Sequence, residues 1–273
     1  MQANAPAMCR LAVFILVVLA MTTGARASEL VLYGAGSLRE SIAQIASSFG
    51  QAHQVTVSTQ FGPSGRMRER IEKGEHVDIF TSADVGHARK LLEEGRASVM
   101  AMFARNTLCL LAPATFGATS ENVLDKLLAP GVRIGVSPAK ADPLGDYTVR
   151  LFEVAESLRP GSAGALRSRA VVLDTPSGSS PPKSGDTDAD AILGGRVHAS
   201  IVYCSGRDRY ARILPDAKLT AFPSRLQVGP EYGLAVMKDA PREAIMLALT
   251  ILSPTGQKVL AEHGFQPVTL PSE

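Results

Sequence analysis

Two serines stand in glycine-rich turns, each between a short apolar segment and a helical pattern. Ser37 lies in the sequence Gly-Ala-Gly-Ser-Leu, and Ser64 lies in Phe-Gly-Pro-Ser-Gly-Arg. A helix N-terminus offers unpaired N–H groups and a partial positive charge, so a serine at that position can help to bind an anion. The competing interpretation is ordinary N-capping, for which serine is a favoured residue. Because both serines occupy matching positions, the pattern favours an anion site.

Other kinds of chemistry have weaker support in these turns. The first turn lacks the third glycine of a dinucleotide fingerprint, and neither serine lies in the Gly-x-Ser-x-Gly turn of a hydrolase. The five histidines are scattered singly, which is not the spacing of a zinc site. One of them could still serve as a base, so an exported hydrolase that uses Ser37 or Ser64 stays open as an alternative.

The elements that would position these turns alternate between strand and helix. Residues 30–33, 55–60 and 77–81 are short apolar or alternating segments, and each precedes a segment with helical spacing of its apolar residues. This order is typical of a parallel sheet flanked by helices, in which ligands bind at the carboxyl ends of the strands. The predicted fold class is α/β, with two parallel-sheet-based lobes joined by crossing strands.

The chain is long enough for two lobes of ordinary size. It has 273 residues, of which 45% are hydrophobic and 20% are charged, so ample material exists for buried cores. A strand that begins near Thr107 is expected to cross into the second lobe, and the chain is expected to return near Pro215. The predicted boundaries are 28–106 plus 215–273 for lobe one and 107–214 for lobe two.

Residues 1–27 have the organisation of a secretory signal peptide. Arg10 precedes an apolar run over residues 11–21, and Ala25-Arg26-Ala27 is a cleavage site of the small-x-small type. The run is shorter than the about 20 residues of a membrane span, although an uncleaved anchor is the alternative. The signal carries two arginines and no acid, so its removal takes the net charge from +2 to zero. A net charge of zero gives no support to nucleic-acid binding. From the signal peptide, we expect a protein that is exported to the periplasm.

Two cysteines, Cys109 and Cys204, remain after the signal peptide. An exported compartment permits a disulfide between them. Two buried free thiols on strands are the alternative, and the residues alone leave both states open.

Four motifs follow one another in a recognisable order along the chain. The longest covers residues 61–84, from Phe-Gly-Pro-Ser-Gly to Thr-Ser-Ala-Asp, and the others lie at residues 36–38, 201–203 and 253–265. In this order they resemble the motifs of the periplasmic molybdate- and tungstate-binding proteins that supply ABC importers. The resemblance implies the type II periplasmic-binding-protein fold, no enzymatic activity and no cofactor. It also implies a monomer that docks on an ABC permease in the inner membrane.

The resemblance further implies a site made of hydroxyl and backbone N–H groups, without a positively charged side chain. Carried over to this sequence, it assigns hydroxyl donors to Ser37, Ser64 and Tyr203. It assigns a backbone N–H donor to Leu144, which lies in a Pro-Leu-Gly-Asp-Tyr turn. Any metal would be bound only as its oxyanion, through these groups.

Two parts of the second lobe depart from the common family pattern. The helix start at Gly185 or Asp186 would supply a further backbone contact, although the family's usual asparagine-valine pair is absent there. Asp142 resembles an archaeal branch in which carboxylates join the coordination of the metal. Its alternative role is that of a turn residue before proline.

The expected function is capture of a tetrahedral oxyanion by two closing lobes, with molybdate or tungstate as the first choice. Sulfate, phosphate or an organic acid on the same fold is the alternative ligand class. Two groups of arginines have no role in this site and are expected to lie on solvated helix faces or to contact the permease: Arg66, Arg68 and Arg70, and Arg207, Arg209 and Arg212.

Overall fold

The computed structural model describes residues 29–174 and 182–268. The predicted signal peptide, residues 1–27, lies outside these described residues. The strands are, in chain order, β1 (Glu29–Ala35), β2 (Thr56–Gly62), β3 (Ile79–Ser82), β4 (Ala97–Arg105), β5 (Leu108–Pro113), β6 (Ile134–Val136), β7 (Ala170–Val172), β8 (Ala199–Tyr203), β9 (Ala217–Ala221), β10 (Glu231–Met237) and β11 (Gln266–Pro267).

The helices alternate with these strands through most of the chain. They are α1 (Arg39–His53), α2 (Ser64–Glu72), α3 (Val85–Glu93), α4 (Val123–Leu128), α5 (Pro143–Leu158), α6 (Ser162–Arg169), α7 (Thr187–Leu193), α8 (Arg207–Ile213), α9 (Arg242–Leu252) and α10 (Pro254–Glu262). Among the described residues, no single helix is long and apolar enough to cross a membrane, although α9 and α10 together, bent by 60° at their junction, have a suitable length and composition.

The strands form two mixed sheets, and each sheet is the centre of one lobe. Lobe one has six strands in the order β11-β4-β10-β3-β1-β2, and lobe two has five in the order β7-β6-β8-β5-β9. Parallel pairing is confined to β2-β1-β3 and to β7-β6-β8. The remaining strands pair antiparallel. The βαβ pattern thus accounts for the parallel core of each lobe but not for the strands that complete it.

The chain crosses between the lobes twice, and the two crossings lie side by side. β4 leads into β5 through Asn106, whose N–H donates to the carbonyl of Pro230 at 3.0 Å. The return lies later than residue 215, because β9 pairs with β5 in the second sheet, with Cys109 opposite Ala221. The boundary predicted at residue 215 assigns β9 to lobe one. Its alternating side chains fit either sheet, and only the backbone pairing assigns it to lobe two.

One hydrophobic core is continuous through both lobes. It includes Leu32 of β1, Ile42 of α1 and Leu110 of β5, all fully buried. Where the lobes join, the ring of Tyr232 lies edge-on to Phe265 at a centroid distance of 5.3 Å. The strand ends that carry the serine turns therefore project from a closely packed base.

Cys109 and Cys204 form a disulfide, with their Cα atoms 5.1 Å apart. β5 and β8 are antiparallel neighbours, and Val202 lies opposite Cys109. Of the two alternatives that the sequence left, a disulfide and two free thiols, the structure shows the disulfide. Because Cys204 directly follows β8, the bond holds the end of that strand against the centre of the second sheet.

Candidate functional site

Ser37 and Ser64 lie at the carboxyl ends of two neighbouring parallel strands. β1 and β2 pair in register to their last residues, where Ala35 lies opposite Gly62. The turns that follow must therefore meet at one edge of the sheet. Both serines line a cavity of about 320 Å³, whose wall is completed by residues of lobe two.

Neither serine caps its helix. The short 3₁₀ turn Gly36–Leu38 and the following α1 have no side-chain cap, and the N-cap position of α2 is Pro63. The capping interpretation of the two serines is therefore wrong. Both hydroxyl groups are available for other hydrogen bonds at the starts of these helices.

The hydroxyl of Ser64 is buried and held in place. The residue is 1% exposed, and its Oγ accepts a hydrogen bond from the N–H of Ala83 at 3.1 Å. Since a hydroxyl has one proton and two lone pairs, this contact leaves the proton of Ser64 available for donation into the cavity.

The hydroxyl of Ser37 belongs to a short hydrogen-bonded chain. The side-chain amide of Asn106 donates to the hydroxyl of Tyr232 at 3.1 Å, and that hydroxyl lies 3.0 Å from Oγ of Ser37. When the hydroxyl of Tyr232 donates the hydrogen bond to Ser37, the hydroxyl of Ser37 can donate its own hydrogen bond into the cavity. Tyr232 is fully buried, so the chain fixes the position of Ser37 from below.

Tyr203 contributes a hydroxyl group that lacks a partner. It ends β8, lines the cavity and is only 7% exposed. Its hydroxyl has no hydrogen bond of acceptable geometry with the described residues, although Tyr232 lies near enough to contribute to the raised pKa of Tyr203. Burial is the main cause of that rise. A buried, unpaired hydroxyl is costly, and a ligand in the cavity would satisfy it.

Asp142 and Leu144 form the N-terminal cap of α5. Oδ1 of Asp142 accepts a hydrogen bond from the N–H of Leu144 at 3.1 Å. The turn is tight, because a Cβ on Gly145 would lie 2.6 Å from backbone atoms of Pro138 and Ala139. Both predicted residues line the cavity, but the N–H predicted to contact the anion is bonded to Asp142 in this structure. Burial raises the pKa of the Asp142 carboxyl.

Gly185 and Asp186 directly precede α7, with Asp186 at its N-cap, and both line the cavity. Oδ1 of Asp186 accepts from the N–H of Ala189 at 2.9 Å, and Oδ2 forms an ion pair with Arg209 at 2.9 Å. Gly185 has a φ of +79°, a conformation that glycine adopts without strain. Asp186 thus caps the helix and orients Arg209.

Asp188 lines the same cavity from the first turn of α7. Burial raises the pKa of its carboxyl to about 7, and the neighbouring charge of Asp186 adds to this rise. A carboxyl in such surroundings is neutral in a large fraction of molecules near neutral pH.

We expect Asp188→Asn to raise the melting temperature relative to wild type, by a margin that grows with pH. The native carboxyl retains a proton that the unfolded chain, with an ordinary pKa near 3.8, has already released. Stability is therefore lost as the pH rises from about 4 through 7, by about 3 kcal/mol between pH 5 and pH 8. Asparagine does not titrate, so thermal unfolding of both proteins across this range isolates the effect. A difference that is constant with pH would contradict the assignment.

The two lobes touch on both sides of the cavity. Arg66 of α2 forms an ion pair with Asp174 at 2.7 Å, and Arg212 of α8 forms one with Glu40 at 2.7 Å. A Cβ at Gly65 would lie 2.5 Å from the carbonyl oxygen of Lys140. The lobes are thus closed on each other, and the cavity is what remains between them.

The structure brings all seven residues predicted for the site to this one cavity: Ser37, Ser64, Asp142, Leu144, Gly185, Asp186 and Tyr203. Sequence reasoning missed Tyr232, because nothing in the chain connects it with Ser37, 195 residues away. It also missed Arg39 and Asp188. Arg66 and Arg209 line the cavity rather than lying only on solvated helix faces, and each is paired with an aspartate. That the anion is bound without a cationic side chain stays a prediction.

The geometry around the serines does not support a hydrolase. The described residues place Ala83 and Tyr232, not a histidine, within hydrogen-bond distance of the two hydroxyl groups. His263 lines the cavity but bonds to Gln44 at 2.9 Å. In the described part of the chain, no group of three or more histidine, cysteine, aspartate or glutamate side chains could hold a metal ion.

The chain is similar to known proteins over nearly all of its described length. Residues 30–266 match the family model described as bacterial extracellular solute-binding protein. An uncharacterized protein of Pasteurella multocida is 32% identical over 238 residues, which are 86% of this chain and 98% of that protein.

Two solved structures share the fold. The periplasmic molybdate-binding protein of Azotobacter vinelandii matches with a TM-score of 0.69 at 19% identity, over 89% of this chain and all of that one. The sulfate-binding protein SubI of Mycobacterium tuberculosis matches with a TM-score of 0.73 at 16% identity, over 88% of this chain and 87% of that one. The predicted α/β fold of the periplasmic-binding-protein type is confirmed.

Proposed function

Because the chain belongs to the bacterial extracellular solute-binding protein family, we propose that it captures a tetrahedral oxyanion, preferably molybdate or tungstate, for delivery to an ABC permease. The chain is a solute-binding protein of the ABC-importer type. The family consists of substrate-binding proteins, so the expectation that the chain is not an enzyme is confirmed.

One observation carries the choice of a tetrahedral oxyanion. Ser37 and Ser64 follow adjacent parallel strands, cap neither helix, line the same cavity and can each donate a hydrogen bond into it. Tyr203 adds a third hydroxyl from the opposite lobe. Hydrogen bonds to an ionised acceptor are about twice as strong as neutral ones, and removal of water by the closed lobes strengthens each of them.

Sulfate, phosphate or an organic acid is the second candidate ligand class. The similarity to SubI favours it, because the same fold serves a sulfate-binding protein. Selection between these anions depends on the size of the donor cage and on its acceptor groups, and Asp142 and Asp188 are acceptors in this cavity.

Calorimetric titration with molybdate, tungstate, sulfate and phosphate tests the proposal. We expect molybdate or tungstate to bind at least tenfold more tightly than the other two anions. The chain has no tryptophan, so a thermal shift is the second measurement, and a ligand at 100 times its Kd adds about 2.7 kcal/mol. Preferred binding of sulfate or phosphate would favour the second class, and no response to any of the four anions would contradict the function.

The cellular setting belongs to the same proposal. Export through residues 1–27, residence in the periplasm and a monomeric state stay predictions. Docking on an inner-membrane permease would follow closure, when the ion pairs Arg66–Asp174 and Arg212–Glu40 join the two lobe surfaces into one.

A further inference from the structure

The uncompensated charges around the cavity are divided between the lobes. On lobe one, Arg39 lines the cavity beside the serine turns. Its guanidinium donates to the carbonyl of Phe61 at 3.3 Å and forms no ion pair with a described acid. On lobe two, Asp142 and Asp188 line the cavity, and neither forms an ion pair with a described lysine, arginine or histidine. One wall is therefore cationic and rich in donors, and the other is acidic.

The other acids of the cavity wall have partners. They form three ion pairs of 2.7 to 2.9 Å, which are Glu40–Arg212, Asp174–Arg66 and Asp186–Arg209. Asp142 and Asp188 therefore differ from them in forming no ion pair, although the charge of Arg66 acts on Asp142 and that of Arg209 acts on Asp188, each lowering a pKa that burial raises.

These two carboxyl groups are close enough to influence each other. The charge of Asp142 contributes to the raised pKa values of both Asp188 and Tyr203, after the larger contribution of burial. Two carboxylates that share a desolvated wall are unfavourable without a cation. A cation carried by the ligand would reduce this repulsion.

Two further observations leave room for a ligand larger than a four-oxygen anion. The cavity retains about 320 Å³ although the lobes already touch on both sides of it. The hydroxyl of Tyr203, more than nine-tenths buried, lies in the wall near Asp142 and has no partner among the described residues. It can donate to an anionic head that lies between the serines and the acidic wall.

We propose that the cavity accepts a zwitterion: a tetrahedral phosphonate or phosphate head held by Ser37, Ser64 and Tyr203, with a short arm that places an ammonium group at Asp142 and Asp188. This inference rests on the proposed oxyanion site and extends it. An ammonium group has three donors and one positive charge, so it can donate to both carboxyl groups and offset the charge of one of them.

The test compares matched ligands that differ only in the amine. 2-Aminoethylphosphonate and ethylphosphonate are titrated calorimetrically into the mature chain, and phosphoethanolamine and ethyl phosphate form a second pair. We expect each amine to bind at least tenfold more tightly than its amine-free partner. The two pairs distinguish a phosphonate from a phosphate ester as the source of the head.

Substitution of the acidic wall assigns the preference to its residues. Asp188→Asn should reduce the amine preference to less than threefold, while the affinity for ethylphosphonate is retained or increased. Asp142→Asn is the second variant, with its cap still formed by the asparagine side-chain oxygen. Asp208→Asn, at an exposed position on α8 outside the cavity, is the matched control and should leave the preference unchanged.

The outcomes separate this inference from the function on which it rests. Equal binding of amine and amine-free ligands, or a preference that survives both substitutions, overturns the zwitterion site and leaves oxyanion capture intact. Binding of molybdate without binding of any phosphonate or phosphate ester also overturns the zwitterion site and leaves oxyanion capture intact. Failure of every anion, including molybdate and sulfate, overturns the proposed function itself.

Discussion

Replacement of both Ser37 and Ser64 by alanine should weaken oxyanion binding by at least 100-fold. In the proposed site, each hydroxyl donates a hydrogen bond to a charged acceptor, and the loss of one such bond costs about 1.5–3 kcal/mol. Two losses amount to roughly 3–6 kcal/mol, or between about 10² and 10⁴ in Kd. Calorimetric titration of the double variant with the tightest-binding anion measures the effect. Retained tight binding would show that the ligand lies elsewhere.

The variants also separate binding from folding. Ser64→Ala leaves the N–H of Ala83 without its acceptor, which costs about 1–3 kcal/mol of stability, so the melting temperature of each variant is measured first. Ser47→Ala with Ser48→Ala, at exposed positions of α1 in the same lobe, is the matched control. We expect this control to bind with the affinity of the wild type.

Replacement of Cys109 and Cys204 by serine should lower the free energy of unfolding by about 4–5 kcal/mol. The cysteines are 95 residues apart in sequence, and a bond that closes so long a loop removes much of the entropy of the unfolded chain. Equilibrium unfolding in urea, without reductant, gives the difference between the double variant and the wild type.

Reduction supplies the control for this second prediction. Dithiothreitol should bring the wild type to the stability of the double variant and leave the variant unchanged. The bond holds the end of β8, where Tyr203 lies. We therefore also expect its removal to weaken ligand binding, by less than the loss of both serine hydroxyl groups does. A wild type whose unfolding is insensitive to reductant would contradict the bond.

Local patterns in the chain were sufficient for the parallel cores of the sheets. Apolar spacing predicted a helix after the first strand segment, and α1 covers Arg39–His53 with Ile42, Ile45 and Phe49 buried. Strand and helix periods are properties of neighbouring residues, so such elements are readable without the fold. The place of β9 was not readable, because its partner β5 is about 100 residues away.

The site shows the same division. Its turns could be found from sequence because parallel strands with intervening helices must bring their carboxyl ends to one edge. Whether Ser64 caps a helix or faces a ligand depended on the position of Ala83 and on the proline that occupies the cap. The charge of the wall depended on pairs such as Asp186–Arg209, which no spacing rule predicts.

By itself, the sequence determined the class of the fold and predicted the two serine turns and seven of the residues that line the cavity, because these depend on local periodicity and on recognisable motifs. Only the tertiary structure decided the disulfide, the buried chain from Asn106 through Tyr232 to Ser37, and which acids of the cavity form ion pairs. The physical reason is that hydrogen bonds and ion pairs depend on distances of a few ångströms between residues that are remote in the chain. Such distances exist only after the two lobes have packed and closed.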